Sequence, residues 1–262
     1  MQGKHIMRIQ QSVCIPILPL DTIDLDDLLD KIAEIGYQAI EIWMRNDTFD
    51  TLCKNAERRG LRLVSMIGHK TRGLNDSSCH DRIEDELKLS IDIAADHGLK
   101  GLICFAGDRI EGQSDRAAIP VTAEGLKRVA PHAEKRGVDL NLELLNSKVN
   151  HIGYQCDRTA WGLEVVQLVD SPRVKLLYDI YHMQIMEGDI IRTLTENIDL
   201  FGHIHTAGNP GRNDMDDEQE INYGAVCTAI STSTYSGYVG HEFIPKGDVV
   251  VALRQAFEVC DR

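Results

Sequence analysis

VDLNLE, residues 138–143, alternates between two kinds of side chain. Leu140 and Leu142, continued by Leu144, face one way, while Asn141 and Glu143 face the other, because successive side chains of a strand point to opposite sides. The pattern is a strand with one apolar face and a carboxylate at its end. Three later segments end alike: VKLLYD (174–179) on Asp179, FGHIH (201–205) on His205 and GYVGHE (237–242) on Glu242. Leu177 shares a face with Asp179, His203 with His205, and Gly240 with Glu242. Scattered over a hundred residues, three carboxylates and an imidazole mean little. At the ends of four successive strands in a closed barrel they converge on one point.

The rest of the chain supplies the other units of such a barrel. MRIQQSV reads as a first strand. DLDDLLDKIAEIG reads as a helix with apolar positions at Leu25, Leu28, Leu29, Ile32 and Ile35, an N-cap at Asp24 and a stop at Gly36. YQAIEIW, LRLVSMI and LKGLICF read as strands two to four. Helices are expected over 47–60, 78–97, 122–136, 157–170, over a stretch that contains His182 and extends to about 197, and over 225–232 and 248–259, with a long polar loop over 206–224. Eight strand–helix units in 262 residues match a (β/α)8 TIM barrel, an α/β fold expected here as a single domain over 1–262. A doubly wound sheet would carry a glycine-rich phosphate turn after its first strand, and CIPILPLD has none.

The composition bounds the partners. A hydrophobic fraction of 43% and a charged fraction of 26% suit an ordinary globular chain, and a net charge of −13 disfavours nucleic acid or an anionic membrane surface. A small polar metabolite is compatible with that charge. The seven cysteines form no CxxC pair and lie partly in apolar runs, as reduced thiols of a cytoplasmic protein do. The N-terminus MQGKHIMRIQ shows no apolar signal segment, and no apolar run approaches a membrane span.

Strand parity turns the four strand-end residues toward the C-terminal mouth, where barrel enzymes carry their chemistry. Three carboxylates crowded there repel one another unless a cation intervenes. Oxygen ligands with one nitrogen suit Mn²⁺, Mg²⁺ or Co²⁺, so Glu143, Asp179, His205 and Glu242 are read as ligands of a divalent ion. Such an ion, bound by the two oxygens of an α-hydroxycarbonyl compound, stabilises an enediolate. Glu143 and Glu242, from strands five and eight, are the expected proton-transfer pair. His182, three residues past Asp179, either donates to a substrate oxygen or is satisfied by nearby backbone. Arg212 in NPGRND is either a clamp for an anionic substrate group or a solvated loop residue. His69, in a loop with Arg72 and Gly73, either lines the mouth or does not, and Trp43 is either an apolar wall of the site or a packing residue. His203, one step deeper than His205, reads as a core or supporting group, and DMDDEQE as a solvated loop.

Taken together, LELLNSKVNHIGY, LLYDIYHMQIMEGD, GHIHTAGNPGR followed by EINY, and GYVGHEF resemble the xylose isomerase-like barrel superfamily of sugar isomerases and epimerases, most of all its hydroxypyruvate isomerase family. The resemblance spans essentially the whole chain. It implies a divalent-metal site and aldose–ketose or epimerisation chemistry on short sugars or hydroxy-keto acids. By it, Glu143 and Glu242 match the paired catalytic glutamates, Asp179 and His205 the remaining ligands, His182 a substrate-contacting histidine, and Arg212 the arginine of the NPGR loop. It is also compatible with a homo-oligomer. Two positions depart. Hydroxypyruvate isomerase-like sequences lead one to expect glutamine at 205, where histidine is typical of ketose epimerases. The epimerases carry a glutamate where Val149 stands. An isomerase is therefore the first reading, with a ketose 3-epimerase or a sugar-type dehydratase beside it. A metal-dependent endonuclease would need more histidines and a basic groove, and a non-catalytic metabolite-binding barrel would show no metal-dependent turnover.

Overall fold

A computed structural model describes residues 8–71 and 73–262. Met7 of the first expected strand, the reading of the N-terminus as leaderless and Arg72 of the His69 loop lie outside the described residues. Eight strands close into one barrel in the order β1-β2-β3-β4-β5-β6-β7-β8, every pair whose register is described being parallel. They are β1 Gln10–Cys14, β2 Ala39–Glu41, β3 Arg62–Ile67, β4 Gly101–Cys104, β5 Asp139–Glu143, β6 Val174–Asp179, β7 Phe201–Thr206 and β8 Tyr238–His241. The helices are α1 Leu25–Ile35, α2 Phe49–Glu57, α3 His80–Asp96, α4 Asp115–Lys127, α5 Ala130–Arg136, α6 Thr159–Val169, α7 Ile180–Met186, α8 Ile190–Asn197, α9 Tyr223–Ser231 and α10 Val249–Cys260. The fold is the (β/α)8 barrel that the alternation predicts.

The chain divides into two compact units. One holds the described residues through Val64, Asp189–Asp199 and Ile204–Arg262; the other holds Ser65–Gly188 and Leu200–His203. In the first, Asp24 caps α1 by accepting from the Asp26 and Asp27 N–H groups, and Gly36 ends it at φ 115°, as the sequence predicts. Leu28, Leu29, Ile32 and Ile35 are buried, whereas Leu25 is exposed. Asp248 caps α10, and its buried Cys260 thiol lies against that of Cys227 on α9. In the second unit, a Cβ on Gly162 of α6 would stand 2.9 Å from Leu176 and 3.1 Å from Leu144. Those leucines therefore face the helix, and Glu143 and Leu177, one residue away along each strand, face away from it.

Several helices depart from their expected bounds, three of them for local reasons that the structure shows. The helix expected over 122–136 is two, α4 and α5. Pro120 lies inside α4, which Ser114 caps by accepting from the Ala117 N–H, while Pro131 occupies the first turn of α5. The helix expected to contain His182 and extend to about 197 breaks into α7 and α8, because Gly188 and Asp189 are both left-handed at φ 71° and 50°. Asp157 does not open α6, which begins at Thr159; its carboxylate instead takes hydrogen bonds from Arg109 and Ser147. All seven cysteines are free thiols, five of them buried. Among the described residues no helix is long and apolar enough to cross a membrane.

Candidate metal centre

Glu143 is the last residue of β5 and Asp179 the last of β6. Both are buried. The Glu143 carbonyl accepts from the Tyr154 hydroxyl at 3.0 Å, which also takes the Ala106 N–H, so this strand end is fixed by the loop that follows it. Asp179 is the N-cap of α7, its Oδ1 accepting from the His182 N–H at 3.0 Å. His182 is fully buried. Its Nε2 stands 3.6 Å from Asp179 Oδ2, and its Nδ1 lies 2.6 Å from Asn146 Nδ2. Asn146 Oδ1 accepts from the backbone N–H groups of Val149 and Asn150, so the amide can offer His182 only a donor. His182 Nδ1 must then accept, and its proton sits on Nε2. Asn146, whose role the sequence did not single out, thereby presents His182 as a hydrogen-bond donor.

In the other unit, His205 lies one residue before the end of β7 and Glu242 immediately follows β8. His205 Nδ1 stands 3.3 Å from Glu242 Oε2, and its Nε2 stands 3.0 Å from Oε2 of Glu41, the last residue of β2. Glu242 Oε2 also takes the Arg212 guanidinium, while its Oε1 accepts from Trp43 Nε1 at 2.8 Å and the Cys14 thiol at 3.5 Å. Burial pushes the Glu242 carboxyl upward, but His205, Arg212 and the Trp43 indole outweigh it and hold the group well below the usual carboxylate range. It is thus fixed as a carboxylate. Trp43 is a polar partner of the site through its indole N–H. Arg212 adopts φ 59°, an uncommon backbone conformation for a residue with a Cβ.

One ligand atom from each of Glu143, Asp179, His205 and Glu242 lies within 4.8 Å of the others, and all four residues are buried. Three carboxylate oxygens and one imidazole nitrogen at that spacing fit a divalent cation of the Mn²⁺, Mg²⁺ or Co²⁺ kind. Glu41, His203 and His205 approach one another equally closely. Glu41 is the acidic residue the sequence reading passed over. Its signal was a single carboxylate between Ile40 and Ile42 in an otherwise apolar strand, and it is 1% exposed. His69 is also buried, but both its ring nitrogens engage backbone: Nε2 accepts from the Phe105 N–H at 3.0 Å, and Nδ1 faces the Thr71 carbonyl. In DMDDEQE, Asp214 is buried and accepts from the Lys246 N–H, and Asp216 pairs with the Lys246 ammonium, so that loop is more tied down than a freely solvated one.

The family described as xylose isomerase-like TIM barrel matches residues 29–260. The chain belongs to that family. The hydroxypyruvate isomerase of Escherichia coli (strain K12) is 31% identical over 238 residues, covering 86% of this chain and 90% of its own. The 2-oxo-tetronate isomerase of Pectobacterium atrosepticum is 31% identical over 176 residues, 65% of this chain and 66% of its own. A solved structure titled AP endonuclease, family 2, from Brucella melitensis superposes with a TM-score of 0.84 over 94% of this chain and 97% of its own, at 23% identity, which is a likeness of fold. The resemblance read from the motifs is borne out, and the curated relatives support an isomerase on this xylose isomerase-like barrel.

Proposed function

We propose that this protein is a divalent-metal-dependent isomerase of a small α-hydroxycarbonyl compound, of the hydroxypyruvate or 2-oxo-tetronate kind, working as one barrel domain over 1–262 in the cytoplasm. The observation that carries the reading is the buried set of three carboxylates and one imidazole, whose ligand atoms lie within 4.8 Å of one another. Net repulsion among those carboxylates, in a site with little water, is relieved by a cation. Glu143, Asp179, His205 and Glu242 hold it. Bound there, the cation supplies Lewis acidity toward the substrate's adjacent carbonyl and hydroxyl oxygens.

The chain's own residues handle the proton. One glutamate of the pair Glu143 and Glu242 removes the proton from the hydroxyl-bearing carbon, and a glutamate returns a proton to the former carbonyl carbon. The hydroxyl proton passes to the former carbonyl oxygen, so the formula is unchanged and no external oxidant or reductant is needed. His182, held as an Nε2–H donor by Asn146, stabilises charge on a substrate oxygen. Arg212 is placed to meet the carboxylate of a hydroxy-keto acid, exchanging part of its contact with Glu242 for the substrate.

The test incubates the protein with three- to six-carbon sugars and keto acids and added Mn²⁺ in D₂O. We expect deuterium at the carbon next to the carbonyl, with isomer formed and no water lost. A product lacking one water makes the enzyme a dehydratase, and an inverted centre with the carbonyl unmoved makes it an epimerase. Full activity after exhaustive chelation, with metal content verified, overturns the metal-dependent reading.

A further inference from the structure

We propose that Cys227 and Cys260 are a redox modification site, at which a hydroperoxide converts two thiols into a disulfide that ties α10 to α9. The inference stands apart from the metal reading above, since neither residue is in the candidate ligand set.

The two helices bring the sulfurs together. Cys227 lies on the buried face of α9 with Tyr223 and Ile230, and Cys260 closes the buried face of α10 after Ala256 and Phe257. Their Sγ atoms stand 2.8 Å apart, and both residues are fully buried. Sulfurs already in contact do not face the backbone movement that bars more distant cysteines from pairing. Tyr223, one turn before Cys227, takes the Ala207 N–H at 3.1 Å and donates its hydroxyl to the Ala207 carbonyl at 2.7 Å. The disulfide therefore fastens α10 to the helix that anchors the segment following β7.

A route to the pair exists. A surface cavity of about 420 Å³ is lined by Tyr223 and Gly224, one turn before Cys227, and by Val259, the neighbour of Cys260. Cys260 is the last residue of α10, and helix ends fray. Burial pushes the Cys260 thiol well up, and the nearby Arg262 only partly opposes it. The closed pair is therefore unreactive, and reaction passes through opening of the last turn of α10 toward the cavity. There a thiolate of the pair attacks one peroxide oxygen and becomes a sulfenic acid, and the second thiol displaces water from that sulfur. Two thiols and one hydrogen peroxide give one disulfide and two waters, with two electrons passing from the sulfurs to the peroxide oxygens. A pool of reduced small thiols returns the pair to its free form.

The test treats the whole reduced chain with hydrogen peroxide, stops the reaction with catalase and alkylates the remaining thiols in denaturant. Trypsin, cutting after Arg212, Lys246 and Arg254, leaves Cys227 alone in peptide 213–246 and Cys260 alone in 255–262. We expect mass spectrometry to find these two joined, about 2 Da below their sum. The melting temperature should rise by roughly 5–10 °C, and dithiothreitol should reverse the rise. Cys260→Ser, treated alike, should show neither change. Cys227 and Cys260 both alkylated at a dose that oxidises the half-buried Cys53 and Cys79 would overturn the proposal. So would either cysteine joined to a different partner or carried on to sulfinic acid. A join that leaves the melting temperature unchanged overturns the tie between the helices.

Discussion

Glu143 and Asp179 are held differently from His205 and Glu242. On the β5–β6 side the supports are near in sequence. Asp179 caps the helix it begins, and Asn146, three residues past Glu143, braces His182. On the β7–β8 side the supports are remote: Glu41 is 164 residues from His205, and Trp43 is 199 from Glu242. Chain-local bracing can be read as motifs, because capping and loop chemistry have fixed spacings. Remote bracing depends on strand register, which only the closed sheet establishes.

The sharpest way to break this comparison is to remove one carboxylate from each side. Glu143→Gln and Glu242→Gln should each lower kcat by ~10²–10⁴, with the circular dichroism spectrum preserved. Near-wild-type turnover in either variant would take that side out of the proton transfer.

Acid stability probes the remote side alone. Burial holds the His241 imidazole at about 3, and its contacts with Gln11 Oε1 at 2.8 Å and Thr206 Oγ1 at 2.7 Å suit a neutral ring. Because the folded value lies below the unfolded one of about 6.5, the stabilisation is fully present above pH ~6.5 and fades as pH falls toward 3. The full effect is on the order of 5 kcal/mol. Urea midpoints followed from pH 7 to pH 4 should fall more steeply for wild type than for His241→Gln. Parallel slopes would deny His241 this part in acid unfolding.

The smaller effects sharpen the contrast. Asn146→Ala removes the acceptor for two backbone N–H groups and the donor to His182, and should cost about 2 kcal/mol in urea unfolding. Ser12→Ala removes one buried hydrogen bond to Glu41 and should cost about 1 kcal/mol. A Ser12 effect larger than the Asn146 effect would reverse the view that the local brace carries more stability.

The β–α alternation and the parity of VDLNLE predict the barrel, and all four strand-end residues lie at or beside their strands' C-terminal ends. Asp24 and Gly36 mark α1 because caps act within one turn. Glu41 stayed hidden because a lone carboxylate in YQAIEIW has no periodic partner; the ring it meets, His205, lies 164 residues later. Trp43 reads as either an apolar wall or a packing residue, since nothing in sequence connects its N–H to Glu242.

Asp179 does two things with one side chain: it ends β6 in the candidate ligand set and caps α7 through the His182 N–H. A cation drawing on that carboxylate competes with the amide for the same electron density. The backbone amide of His182 is therefore a built-in reporter: its proton shift and exchange rate should register loading of the centre before any substrate is added.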